Sequence, residues 1–323
     1  MKKITALILA ALMLLSAASF AVADTEPGFY DPDTGRIRMT HKRYIRPDFE
    51  DYDSFSKTDL ATLLTVYLNA ASSADKNTLV AAIIGAVMNG EIGRDFYFDF
   101  LDAEKYEVVG LEYDSNLCWA ATAANMLWQS GYPQKCVSPY TGRPFESVDE
   151  LFDYFRKAYP DMGGTPKEAI LDFFFDYGID SATFVYNLLA DPSLFDKIGQ
   201  LFTDGTFGAG IFGYDLITGE QVMAHAVTIV GVIVDETATT LDEKYIGVLI
   251  ADSDTTPAIG NGYDLPLAPW ERPRAAIASN RTDKVTYYPL QVVYVNGNPT
   301  WTIVGYLPDA TVVIEDIYAL PNL

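Results

Sequence analysis

The chain has 323 residues, 49% hydrophobic and 20% charged, a balance that supports a buried core and excludes a disordered, collagenous or coiled-coil protein. Asp and Glu number 44 against 22 Lys and Arg, so the formal charge is -22; such a surface repels phosphate backbones, and nucleic acid is not expected as a partner. Two Cys and two His are too few for a zinc ribbon or a disulfide-built scaffold, and they leave few residues able to act as nucleophile or base.

Lys2 and Lys3, the apolar run from Ile4 to Leu15 and the small residues Ala21-Val22-Ala23 before Asp24 have the layout of a cleaved export signal over residues 1–23. An uncleaved anchor is the alternative, and Ala and Ser in the second half of the run argue against it. Losing the two lysines takes the formal charge from -22 to -24. No later segment is long and apolar enough to span a bilayer, so the expectation is a secreted, extracellular protein without stable membrane insertion.

Residues 24–95 read as an N-terminal extension. Arg36, Arg38, Lys42, Arg43 and Arg46 form a basic cluster in an acidic chain, either a solvated arm or a pro-segment drawn to the body. Lys57 to Ala71 and Lys76 to Asn89 have helical content, and Gly90 to Gly93 ends that pair. A boundary falls near Asp95, and residues 96–323 form the larger domain.

In that domain helices are predicted from Cys118 to Gln129, closed by Gly131 and Pro133, from Val148 to Ala158, and from Pro166 to Tyr177. Beyond Thr206 the texture becomes β, over Gly208 to Tyr214, Ala224 to Asp235, Tyr245 to Asp252, Val285 to Val295 and Pro299 to Leu307. Asn296-Gly297-Asn298 reads as a hairpin turn between the last two. Helices followed by an antiparallel sheet predict an α+β fold in two facing parts.

The stretch from Asp114 to Leu127 carries the chemistry. Asp114 or Ser115 is positioned to cap a helix whose first turn holds Cys118, and a helix N-terminus favours a thiolate over a thiol. Alanines at 120, 121, 123 and 124 let that helix approach another layer closely. A structural Cys is the plainer alternative. Of the two histidines, His41 lies in the basic arm, whereas His225 opens the apolar run His225-Ala226-Val227-Thr228-Ile229-Val230-Gly231. The return strand from Tyr245 ends at Asp252-Ser253-Asp254, so an antiparallel pair would bring His225 and Asp252 to one sheet edge. A calcium loop at Asp252 and Asp254 fails the EF-hand pattern, because Thr256 and Pro257 occupy ligand and Gly positions.

Cys, then His, then Asp, with the Cys on an early helix, is a papain-like order. Asn116 to Leu127, His225 to Gly231, Asp252-Ser253-Asp254 and the following Ala258-Ile259-Gly260 together resemble the IdeS/Mac immunoglobulin-degrading cysteine endopeptidases. The resemblance spans roughly Tyr106 to Leu307 in order and is sharp in those blocks. It implies a papain-like fold whose helical part carries Cys118 and faces an antiparallel sheet carrying His225 and Asp252. It further implies Cys118 as nucleophile, His225 as base, Asp252 as orienter and Asp254 as support. The activity implied is peptide-bond hydrolysis through a thioester with no metal or organic cofactor, on a protein substrate of which immunoglobulin G is the one to test. The family's upstream oxyanion-binding lysine has no counterpart in Val108 to Glu112, and Lys105 lies out of register. The Cys118 N–H and the Asn116 side chain are the oxyanion candidates. Residues 24–95 do not match the family, and Cys136 is additional; a Cys118–Cys136 disulfide would leave no nucleophile. That supports the alternative of a weak or inactive relative binding a host or cell-surface protein through the same cleft. A transglutaminase or amidase is a third reading.

Overall fold

Caps and turn residues divide the chain into its elements. The computed structural model describes residues 73–88, 95–98, 116–160, 162–180, 205–235, 244–253, 283–295 and 298–323, with short pieces at 102–103, 105, 107–108, 111–112, 186–187 and 238–240. In chain order these hold helix α1 (Ser73–Met88), strands β1 (Asp95–Phe98), β2 (Glu107–Val108) and β3 (Leu111–Glu112), and helices α2 (Cys118–Ser130), α3 (Val148–Ala158) and α4 (Pro166–Asp176). Strands β4 (Tyr186–Asn187), β5 (Gly205–Asp215), β6 (Gln221–Val234), β7 (Tyr245–Ala251), β8 (Asp283–Val295), β9 (Asn298–Ile303) and β10 (Ala310–Pro321) follow. The export signal, the basic arm with His41, and the helix expected over Lys57 to Ala71 lie outside the described residues, as does Asp254.

From β5 to β10 each strand pairs antiparallel with the next, and β10 pairs back onto β5. The six strands therefore close into an antiparallel barrel, with β1 added beside β8 and β4 beside β10. This corrects the expected papain-like α+β arrangement of a helical Cys-bearing part facing an open sheet. The strand that closes the ring, β10, is the one that the sequence pattern does not announce. Its inward residues are Val312 and Ile314, then Ile317 and Ala319, because a bulge between Ile314 and Asp316 shifts the alternation. Read at strict period two, the segment loses its apolar face halfway along.

Phe207, Ala209 and Ile211 from β5, with Val227 and Ile229 from β6, fill the barrel interior. The outer wall of β5 is nearly bare, since Gly208 and Gly210 alternate with those inward residues. Helix α2 lies against it. A Cβ on Gly208 would stand 2.6 Å from Thr122 Cγ2 and 2.8 Å from Met126 Sδ, so only glycine admits the helix at this depth. Alanines 120, 121, 123 and 124 are fully buried on the helix side. The Thr206 hydroxyl on β5 donates to the Met126 carbonyl at 3.0 Å, tying the strand to the helix backbone.

Ser147 caps α3 by accepting from the Glu150 N–H, and Thr165 with Glu168 forms a capping box on α4, with Pro166 in its first turn. Gly131 ends α2 at φ 87°, a left-handed position that suits glycine. The start of α2 differs from expectation. Leu117, not Asp114 or Ser115, occupies its cap, without a side-chain hydrogen bond. In the described part of the N-terminal extension, Lys76 of α1 ion-pairs with Asp235, whose side chain is wholly buried. The four residues of β1 pair with β8. Among the described residues no helix is long and apolar enough to cross a membrane.

Gly208→Ala is expected to lower unfolding stability by about 1–3 kcal/mol through overpacking against α2, seen as a reduced urea midpoint. Gly85→Ala on α1, where nothing lies within 4 Å, serves as the control that leaves or raises the midpoint.

Candidate active site

Cys118 is the first residue of α2, and the bare wall of β5 brings that helix end to the barrel where β6 rises. Its sulfur is hydrogen-bonded to the His225 side chain and receives the Ala226 backbone N–H. Burial alone would push the thiol up, but the His225 hydrogen bond and charge, the Ala226 N–H and the Lys105 charge together bring it below the ordinary thiol value.

His225 does not open its strand, as the sequence pattern had suggested. β6 begins at Gln221, and His225 sits inside the ladder opposite Ile211. That placement fixes the ring between two partners. Its Nε2 lies 2.9 Å from Asp252 Oδ1, one residue beyond the end of β7, which leaves Nδ1 for the sulfur. Burial alone would lower the imidazole pKa, but hydrogen bonds and charges from Asp252 and Cys118 raise it well above the ordinary histidine value. The side chains of His225 and Asp252 are 8% and 9% exposed, so water screens their interaction little. The pairing favours the charged forms of both groups, the Cys118 thiolate and the His225 imidazolium, relative to the free side chains.

Sequence reasoning missed the residue that holds the carboxylate. Tyr306, in the turn between β9 and β10, donates its hydroxyl to Asp252 Oδ2, while its ring packs on Tyr288 with centroids 5.2 Å apart. Asp252 is therefore bound through both oxygens. A sequence separation of 54 between Tyr306 and Asp252 leaves no local signal for the pair.

Lys105, set aside as out of register, is also nearby. It is 6% exposed, and its charge favours the Cys118 thiolate. The segment before it is pinned by the buried Asn125 of α2, which accepts from the Ala103 N–H at 2.7 Å and donates to Asp102 and, at 2.9 Å, to Thr228 Oγ1 on β6. One side chain thus joins the lysine segment, the cysteine helix and the histidine strand. Asn116 is exposed at the mouth of the site. Cys136 and Cys118 are both free thiols, and burial raises the Cys136 pKa.

Cys118, His225, Asp252, Tyr306 and the Gly163-Gly164 segment line a cavity of about 720 Å³. A Cβ on Gly164 would fall 2.8 Å from the Trp119 ring, whose Nε1 donates to the Met162 carbonyl at 2.8 Å; the loop is fastened to the residue that follows the cysteine. Among the described residues no group of three or more His, Cys, Asp or Glu side chains is arranged to hold a metal ion. Comparison with known proteins finds no matching family model, no matching curated protein and no matching solved structure.

The two thiols are expected to separate by reactivity. At about pH 7 iodoacetamide should label Cys118 at least about tenfold faster than Cys136, because one thiol pKa is lowered and the other raised. His225→Ala should abolish that advantage, measured by peptide mass spectrometry; equal rates in the parent chain would contradict the thiolate assignment.

Proposed function

We propose that the protein is an exported cysteine endopeptidase. The observation that carries the reading is the continuous hydrogen-bonded chain from the Cys118 thiol through His225 to Asp252 in the lining of an open cavity. The resemblance of Asn116 to Leu127, His225 to Gly231 and Asp252-Ser253-Asp254 to the IdeS/Mac peptidases supports the reading and makes immunoglobulin G the first substrate to try.

In this reading the Cys118 thiolate attacks the carbonyl carbon of the scissile peptide, and the carbonyl π pair moves to oxygen. The oxyanion meets the Cys118 N–H, the Asn116 side chain and the charge of Lys105. As the tetrahedral species collapses, the C–N bond breaks and His225 gives its proton to the leaving amine, leaving an acyl thioester. Water then attacks the thioester with His225 as base. The C–S bond breaks, and the carboxylic acid product departs as the thiolate–imidazolium pair is restored. Asp252 holds the ring in the useful tautomer and stabilises its positive form, and Tyr306 holds Asp252. No step needs a metal or an organic cofactor.

The test is incubation with intact immunoglobulin G and with casein, followed by mass spectrometry of fragments. Cys118→Ala should abolish cleavage, Cys136→Ala should leave it largely intact, and Asp252→Asn should reduce it while retaining a residue. The working state needs both the thiolate and the imidazolium. Activity should therefore fall on the acid side as pH drops through the lowered Cys118 pKa, and on the alkaline side as pH passes the raised His225 pKa, leaving a plateau between the two. Tyr306→Phe should narrow that plateau from its alkaline side, because an Asp252 no longer held through Oδ2 supports the imidazolium less well. Absence of fragments from both substrates, with Cys118 still hyper-reactive, would favour a binding role for the cleft.

A further inference from the structure

Asp316 is a carboxylate that the reaction does not use, on the wall of the cavity that holds Cys118. The bulge in β10 puts it there. Before the bulge Val312 and Ile314 point into the barrel, and after it Ile317 and Ala319 do. Unbroken alternation from Ile314 would aim residue 316 into the barrel core; the slip turns it outward with Tyr318, which packs among the helices. A bulge that re-aims one acidic side chain from an apolar interior into a cleft is a feature of the site's construction.

The strand opposite leaves it room. Asp316 pairs with Gly210, where a Cβ would stand 3.2 Å from Asp316 Cβ and 3.5 Å from its Oδ2. Tyr318 donates to Oδ2 at 3.3 Å, while Oδ1 is closed to water and has no hydrogen-bond partner among the described residues. Burial raises the carboxyl pKa against the pull of the Tyr318 hydrogen bond, and the neighbouring Glu315 charge raises it further. Among the described residues the lining of the cavity includes no Lys or Arg, and its one histidine, His225, is already engaged by Asp252 and Cys118. A half-buried carboxylate in that setting is poorly compensated, and a cation entering the cavity supplies the compensation.

We infer that Asp316 is a specificity determinant that receives a cationic group of the substrate, a Lys or Arg side chain, within the cleft beside Cys118. The inference rests on the peptidase reading of that cleft and names the substrate chemistry it selects. With Oδ1 closed to water, Oδ2 is the oxygen left to accept a charge-assisted hydrogen bond from the cation, beside the one from Tyr318. The acidic body adds a field that draws cationic segments toward the opening.

The test separates binding from chemistry. Six hexapeptides, each with one arginine at a different position in an alanine–glycine background, are titrated calorimetrically into the full chain carrying Cys118→Ala, beside the same peptides with citrulline in place of arginine. Citrulline keeps the shape and loses the charge. At least one position should favour arginine by about tenfold or more, and raised salt should shrink the preference. Adding Asp316→Asn should erase the preference and leave citrulline binding unchanged. Equal affinities at all six positions, absence of binding included, overturn the inference, as does a preference that survives Asp316→Asn. The comparison within the Cys118→Ala chain decides the matter even should the second variant fail to fold. Cleavage of protein substrates by the parent chain is read in parallel. Cleavage without a charge preference removes the subsite alone, and a charge preference without cleavage removes the peptidase reading alone.

Discussion

The cleft depends on how close helix α2 comes to the barrel wall. Packed helices ordinarily stand about 8–10 Å apart, a distance set by the side chains between them. Here the helix presents Thr122 and Met126, and the strand meets them at Gly208 with no side chain of its own, so the strand adds nothing to the gap at that point. The consequence is chemical. A cysteine at a helix end meets a histidine fixed within a strand ladder only because the intervening layer is missing. Bulk on either face would lift the helix and part the sulfur from the imidazole.

Burial alone works against both charged forms of the pair, and the site overcomes it with aimed partners instead of solvent. His225 is held from one side by Asp252, which Tyr306 holds in turn; Cys118 is held by the Ala226 N–H and by the field of a buried lysine. Each partner sits on a different element, namely the strands β6 and β7, the β9–β10 turn and the segment before β2. The charge pair therefore reports on the assembly of the whole domain, and a disturbance in any of those elements reaches the sulfur.

The helices were legible because their ends carry local chemistry: Ser147, the Thr165–Glu168 box and the left-handed Gly131 mark boundaries within a few residues of themselves. Scarcity drew attention to Cys118 and His225, and the antiparallel return of β7 brought Asp252 into consideration. What escaped was long-range. Strand β10 hid behind its bulge, and without it the remaining strands read as an open sheet. Lys105 is brought near the sulfur by Asn125, whose partners lie twenty-two residues back and 103 residues ahead. The cap expected at Asp114 or Ser115 failed because Leu117 starts the helix without a side-chain acceptor.

Barrel closure also orders events in time. A chain emerging from the ribosome presents α2 early, then β5 to β9, and β10 only after all of them. Until β10 arrives, β5 and β9 each keep an unpaired edge, the kind of surface that recruits a strand from another molecule. The β9–β10 turn that carries Tyr306 has no fixed position before that closure, so Asp252 and the imidazole it steadies await the last strand as well. A thiol made first and given its last partners at the end is unsupported through synthesis, and the same delay leaves the nascent chain exposed to strand exchange until the ring is shut.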